Sequence, residues 1–282
     1  MKRSVGVIGG DRRQAELARL FAEDGYSVVT YGLEQKADTD APCLKEAAAC
    51  DAVILPLPLC KEEGRLNCAG EPVATEELFR WFRPGQRILA GNIRLQQHRE
   101  AERLGLQLED YFLREEVSVA NAAVTAEAAL QVAMGRLDQT LLGMDCLVLG
   151  FGRIGKLLCH RLAGMGAHVT VAARKAEDLA WIRAFGWEAL PIHAMSGALD
   201  RFSLVFNTVP APVLGGELLG QLPRSCLCVE LASCRGIDPA AAEERGMTLV
   251  SAGSLPGRLK PRAAAEILHD AIHTILTEGD TV

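Results

Sequence analysis

The chain lacks the marks of a nucleic-acid binder or a disulfide scaffold. Its net charge of -6 supplies no overall positive field for a phosphate backbone, so no nucleic-acid partner is predicted. Its nine cysteines include no Cys-x-x-Cys pair, which argues against a zinc site and a disulfide framework. We therefore expect buried, reduced thiols in a cytosolic protein.

Long apolar runs are also missing. None approaches the ~20 residues that span a bilayer, so no membrane role is predicted. The apolar stretch after the basic start ends at Asp11, short of a signal-peptide core of about 7 to 15 residues, which predicts a cytoplasmic protein. His269 and His273 stand four residues apart without a third ligand, so no metal is predicted.

Two halves of the chain repeat one order of a strand ending in glycine, an amphipathic helix and a further strand. This order predicts an α/β protein of two doubly wound parallel-sheet, Rossmann-like domains. The predicted parts are a flavodoxin- or Rossmann-like substrate domain over 1–120, completed by a C-terminal helix in 261–282, an interdomain helix over 121–140 and an NAD(P)-binding Rossmann domain over 141–260.

The strongest motif is a Gly-x-Gly-x-x-Gly loop between a predicted strand and a predicted helix, formed by Gly150, Phe151, Gly152, Arg153, Ile154 and Gly155. The first two glycines let pyrophosphate oxygens approach backbone N–H groups, and the third lets the helix lie close to the strand. This context predicts a dinucleotide site. The alternative is a glycine-rich turn in another kind of α/β protein.

No acidic residue stands where NAD sites usually hold the ribose hydroxyls, about 20 residues after the loop. That position instead has Arg174 and Lys175, which could bind a 2′-phosphate. NADP is therefore the predicted cofactor. If these two side chains merely begin a solvated helix, either NAD or NADP would fit.

Two further strand ends face the same predicted edge. Ser233 follows the fifth strand of the second domain, where a nicotinamide ring usually lies, and the loop after the fourth strand could flank the cofactor through Asn207, Thr208, Val209 and Pro210. Ordinary turn chemistry is the alternative for both.

Candidate substrate and catalytic residues lie elsewhere. Asp11 is suited to capping the first helix, and Arg13 and Gln14 would then face a cleft that could take a substrate carboxylate. A second nucleotide there is disfavoured because the third glycine is missing. Glu127, with Thr125 beside it, could act as a general acid or base if burial raised its pKa, and a solvated helix face is the alternative.

Together these motifs resemble the A subunit family of dipicolinate synthase over essentially the whole chain. The resemblance is carried by Val7-Ile8-Gly9-Gly10-Asp11-Arg12-Arg13-Gln14, Ile54-Leu55-Pro56, Asn121 with Thr125-Ala126-Glu127, the glycine loop, Ala173-Arg174, Asn207-Thr208-Val209-Pro210, Leu231-Ala232-Ser233 and Leu255-Pro256-Gly257.

The resemblance implies a 2-hydroxyacid-dehydrogenase-like arrangement and a partnership with a flavoprotein-like B subunit in a sporulating mother cell. The implied reaction converts 4-hydroxy-tetrahydrodipicolinate, a small dicarboxylate, to dipicolinate with NADP. Arg13, Lys260 and Arg262 are the candidate substrate cations, and the catalytic candidates are Glu127, Thr125, Ser233 and Arg13.

Two alternatives stay open. A 2-hydroxyacid dehydrogenase would need a late catalytic histidine, and none occurs between His193 and His269. A non-catalytic NADP-binding regulatory or scaffold subunit would keep the glycine loop and lose cleft residues. Changes such as Glu230 for the family's Asp, and Ala128 for its Gly, leave that possibility open. Association into a homo-oligomer is a further open expectation.

Overall fold

The computed structural model describes residues 3–34, 44–62 and 64–278. Cys43 and the end of the predicted C-terminal helix, 279–282, lie outside these residues. The chain forms two compact units, one of residues 1–121 with 256–282 and one of residues 122–255. The C-terminal segment thus belongs to the first unit.

The N-terminal part alternates strands and helices. Its elements are β1 (Ser4–Ile8), α1 (Arg12–Glu23), β2 (Ser27–Tyr31), α2 (Leu44–Ala48), β3 (Ala52–Ile54), β4 (Cys60–Glu62), β5 (Arg65–Leu66), α3 (Thr75–Phe79), β6 (Arg87–Ala90), α4 (Leu95–Arg103) and β7 (Gln107–Asp110).

The first unit is built on a parallel sheet with the strand order β2-β1-β3-β6-β7. Its two faces bury different side chains because side chains alternate along a strand. Val5 and Val7 of β1 pack in one core cluster with Phe21 of α1, whereas Ile8 packs in the other cluster. The short pair β4 and β5 is antiparallel.

The long helix α5 (Glu115–Met134) begins and ends about six residues before the predicted span of 121–140. Glu115 and Glu116 suit its first turn, where the helix dipole favours negative charge. Gly135 follows its last residue, which is consistent with its early end. By length and composition α5 could cross a membrane, but 44% of its most apolar window is buried inside the protein.

The remaining elements follow in chain order. They are β8 (Asp145–Leu149), α6 (Arg153–Gly164), β9 (His168–Ala173), α7 (Ala176–Ala184), β10 (Glu188–Pro191), β11 (Leu204–Asn207), α8 (Gly216–Leu219), β12 (Leu227–Glu230), α9 (Pro239–Glu244), β13 (Thr248–Ser251), α10 (Leu255–Leu259) and α11 (Pro261–Glu278).

The second unit has a six-stranded parallel sheet in the order β10-β9-β8-β11-β12-β13. This is the doubly wound order in which the chain reverses direction between β8 and β11, and such sheets bind ligands at the carboxyl edge of that point. The predicted fold class, two parallel α/β sheets, is confirmed in both units.

Helix α11 completes the first unit. It packs against α1, where the His269 ring lies 4.7 Å from the Phe21 ring and its Nε2 lies 2.8 Å from a carboxylate oxygen of Asp24. His269 and His273 also stack on each other, so both rings take part in packing. Among the described residues no group of three or more potential metal ligands occurs.

Candidate dinucleotide site

The glycine loop has the close packing that its sequence predicts. Gly150 has a φ of 96°, and a Cβ added there would lie 2.5 Å from the Thr208 hydroxyl oxygen. A Cβ added to Gly155 would lie 2.3 Å from the Gly150 carbonyl oxygen. Both positions therefore require glycine for α6 to lie against the end of β8.

Gly152 differs from the other two glycines because the space beside it is open. A Cβ added there would meet no atom within 4 Å. Gly152 is also the N-cap of α6 and has no side chain to bind the first N–H groups of the helix. The start of this 12-residue helix is thus left uncapped and open, as an anion-binding helix start must be.

The loop's other residues lie at different depths. The Phe151 ring is buried and lies 6.2 Å from the Trp187 ring, with the Lys156 ammonium 5.3 Å from its centroid. Arg153 is exposed and Ile154 is half-buried. Phe151 thus anchors the loop to the domain, and the residues that could meet a ligand are the glycines and Arg153.

The end of β9 carries the two predicted phosphate-binding cations. Both Arg174 and Lys175 are exposed, and no acidic residue lies between Ala173 and Lys175. The Lys175 ammonium lies 3.2 Å from the Glu177 carboxylate. Arg174 has no ion pair within the described ranges, so its guanidinium is the better placed of the two to meet a phosphate.

The loop after β11 approaches the glycine loop through Thr208, whose hydroxyl donates to the Leu149 carbonyl at 2.8 Å. Val209 is half-buried and Pro210 is exposed, so both can face a ligand. Asn207 is fully buried, and its side chain bonds inside the protein. Its cofactor contact stays a prediction.

Asn207 belongs to a buried network centred on Glu230, which sequence reasoning noted only as a departure from the family pattern. The Asn207 amide nitrogen donates to Glu230 Oε1 at 2.8 Å, and the Asn207 amide oxygen accepts from the Val209 N–H at 3.0 Å. Glu230 is 4% exposed, and its carboxylate also accepts from the N–H groups of Ala232, Gly236 and Ile237. A glutamate ending an otherwise apolar strand was the available signal.

Ser233 lies in the loop that Glu230 holds, and it is exposed. The exposed Arg235 follows it in the same loop, and Asp238 then caps α9 by accepting from the N–H groups of Ala240 and Ala241. The loop thus presents a hydroxyl and a guanidinium at the carboxyl edge of the sheet. Ser233 stays a predicted contact.

In the first unit, the predicted substrate cation Arg13 already has partners. Arg13 is 5% exposed, and its guanidinium contacts both carboxylate oxygens of Asp11 and donates to the Leu57 carbonyl at 2.7 Å. Asp11 caps α1 as predicted, and the Gln14 side chain returns the capping bond to the Asp11 N–H. Arg13 and Gln14 are therefore buried side chains.

The two later cations differ. Lys260 is half-buried, whereas Arg262 is exposed and pairs with Glu266 at 2.9 Å and Glu23 at 3.5 Å. Their substrate roles, like that of Arg13, stay predictions.

The burial on which the acid–base role of Glu127 depended is absent. Its side chain is 61% exposed and accepts a hydrogen bond from Arg161 Nη2 at 2.9 Å. Position 127 thus lies on the solvated face of α5, the alternative drawn from the sequence. Thr125, two residues earlier, is buried. Their catalytic roles stay predictions.

A doubly wound sheet with an open helix start at its switch point is the architecture of a dinucleotide-binding domain. Comparison with known proteins gives the particular relationship. Residues 4–112 match the family model for the N-terminal domain of the dipicolinate synthase A subunit. The A subunit of dipicolinate synthase from Bacillus subtilis (strain 168) is 27% identical over 290 aligned positions, which cover 97% of this chain and 96% of that protein.

Solved structures agree. The crystal structure of the dipicolinate synthase A subunit from Bacillus halodurans superposes with a TM-score of 0.82 at 26% identity, covering 97% of each chain. D-lactate dehydrogenase from Escherichia coli, at 14% identity, shares the fold with a TM-score of 0.64 over 98% of this chain and 97% of that one. The predicted resemblance to the dipicolinate synthase A subunit is confirmed.

Proposed function

We propose that this chain is an NADP-dependent oxidoreductase that acts as a dipicolinate synthase A subunit. The observation that carries the proposal is the uncapped start of α6 at Gly152, with Arg174, unpaired among the described residues, at the end of the neighbouring strand β9. The first feature suits a pyrophosphate and the second a 2′-phosphate. The similarity to the Bacillus subtilis protein over 97% of the chain supports the same assignment.

The proposed substrate is 4-hydroxy-tetrahydrodipicolinate. Loss of water from its ring gives a dihydropyridine dicarboxylate, and loss of one hydride and one proton from that ring gives aromatic dipicolinate. NADP, when bound, would supply the acceptor for the hydride. Aromatisation favours the oxidation. The proton leaves to a base or to water.

The chain's own residues would divide the work by position. The N–H groups at the start of α6 hold the pyrophosphate, and Arg174 holds the 2′-phosphate. Ser233 and the loop beginning at Asn207 flank the nicotinamide side. The candidates for the substrate's two carboxylates are Arg13, Lys260 and Arg262. A flavoprotein-like B subunit is the proposed partner, in the cytoplasm of a sporulating mother cell.

The test combines the purified chain, freshly made 4-hydroxy-tetrahydrodipicolinate and NADP, with and without the flavoprotein-like partner. We expect NADPH and dipicolinate absorbance to rise together in at least one mixture. Gly152→Ala should suppress this signal because its Cβ fills the open space at the loop. Gly164→Ala is the matched control, since Gly164 is exposed at the other end of α6 with no atom near its added Cβ.

A non-catalytic NADP-binding subunit is the second candidate, favoured by the solvated position of Glu127 and the internal pairing of Arg13. Cofactor binding that Gly152→Ala abolishes, without dipicolinate in either mixture, would support this second candidate and refute the catalytic proposal.

A further inference from the structure

We propose that Glu230 is a positioning residue that holds two loops in the shape required by the nicotinamide half of the cofactor. The loops are 207–211, which starts at the last residue of β11, and 231–238, which follows β12. This inference rests on the proposed function, because it names a further requirement of the same site. Glu230 itself is buried and would touch neither cofactor nor substrate.

The geometry of the carboxylate uses both of its oxygens. Oε1 accepts from the Asn207 amide at 2.8 Å and the Ala232 N–H at 3.0 Å. Oε2 accepts from the N–H groups of Gly236 at 2.9 Å and Ile237 at 3.0 Å. Four donors from three parts of the chain thus converge on one side chain, which ties both ends of the second loop to the end of β12.

The two loops are also joined to each other. A Cβ added to Gly236 would lie 2.3 Å from the Asn207 amide nitrogen and 2.8 Å from the Ala211 carbonyl oxygen. The Gly236 carbonyl in turn accepts from the N–H groups of Val213 and Leu214. Because the contact leaves no spare space, a shift of one loop must move the other.

Glu230 forms no ion pair with any residue that the structure describes, so these four hydrogen bonds are what stabilises its carboxylate. Replacing it by glutamine keeps the shape but turns one acceptor oxygen into an NH₂ group. In either orientation that group faces two N–H donors. Asn207 cannot compensate by turning its amide, because both amide atoms also bond the backbone of Val209.

The position of the network predicts which half of the cofactor it serves. The glycine loop and Arg174 follow β8 and β9, on one side of the switch point. The two loops that Glu230 holds lie at the ends of β11 and β12, on the other side. A dinucleotide lies across that point with one nucleotide on each side. Loss of hydrogen bonds to Glu230 should therefore weaken binding of whole NADP and leave the binding of an adenosine 2′,5′-bisphosphate fragment unchanged.

The experiment measures dissociation constants of NADP and of adenosine 2′,5′-bisphosphate for the full chain, for Glu230→Gln and for the control Glu217→Gln. Glu217 is an exposed glutamate on α8 outside the network. In Glu230→Gln we expect the dissociation constant of NADP to rise about tenfold or more, since two bonds to a charged group are lost. The fragment should bind all three proteins equally.

General loosening of the domain would weaken the binding of both ligands together, and that result would overturn the inference. Unchanged NADP affinity in Glu230→Gln would also overturn it. Amide exchange of Gly236 and Ile237, followed by NMR, gives a readout that needs no cofactor. It should accelerate in Glu230→Gln and not in Glu217→Gln. If the unmodified chain binds neither ligand, the proposed function fails. If the unmodified chain binds both ligands but Glu230→Gln lacks the expected contrast between them, only the positioning role of Glu230 is refuted.

If Glu230→Gln does not fold, Asn207→Ala decides. That variant removes the hydrogen bonds of the Asn207 side chain to Glu230 and Val209. It leaves the Glu230 carboxylate its three backbone donors. We expect the same contrast between NADP and the fragment. Equal NADP affinity in Asn207→Ala and the unmodified chain would overturn the inference.

Discussion

Replacing Arg174 by alanine should change the preference between NADP and NAD. Arg174 is exposed and unpaired within the described residues, so its guanidinium would lose little by turning toward a 2′-phosphate. A charge-assisted pair at an exposed site is worth about 1–2 kcal/mol after discounting for solvent, which is roughly 5- to 30-fold in the dissociation constant. NAD has no 2′-phosphate, so its affinity should stay unchanged.

Lys175 supplies the matched comparison. Its ammonium already lies 3.2 Å from the Glu177 carboxylate, so Lys175→Ala should weaken NADP binding less than Arg174→Ala does. Titration calorimetry with both cofactors at two salt concentrations measures the effect, and added salt should shrink the preference. Equal affinity of the unmodified chain for the two cofactors would refute the reasoning, as would an equal loss of both in Arg174→Ala.

Two further predictions concern stability and thiol chemistry. Gly155→Ala should lower the free energy of unfolding by about 1–3 kcal/mol in urea titrations, because its Cβ would lie 2.3 Å from the Gly150 carbonyl oxygen; an unchanged midpoint would contradict this. Cys234 is exposed, whereas burial raises the pKa of the Cys60 thiol to about 11. Mass spectrometry after brief alkylation near neutral pH should therefore find Cys234 modified and Cys60 intact, and the reverse order would refute the assignment.

The elements that the sequence predicted well are those with a buried apolar strand and a glycine or cap beside it. The capping role of Asp11 follows from local chemistry that tertiary contacts do not alter. The glycine loop is of the same kind, because its spacing already contains the close approach of Gly155 to Gly150.

The elements that the sequence did not predict depend on distant neighbours. Strand β10 is at an edge of the sheet and only partly buried, so its apolar signal is weak. The sequence left open whether Glu127 is buried or solvated, because the answer depends on which face of α5 packs and the Ala-rich sequence of α5 has little contrast between faces. The Glu230 network joins residues 23 positions apart in sequence, from Asn207 to Glu230, and no local pattern contains that distance.

The two strand–glycine–helix motifs differ in the residue that caps the helix. At the start of α1 the Asp11 carboxylate accepts from the Arg13 N–H, and the Arg13 guanidinium covers that carboxylate, so the chain's own anion fills the position. At the start of α6 the same position is Gly152, which has no side chain to offer. The helix dipole is the same in both, but only the second is left for an external anion. The contrast favours the proposed dinucleotide site at α6 over one at α1, where an external carboxylate would have to displace Asp11.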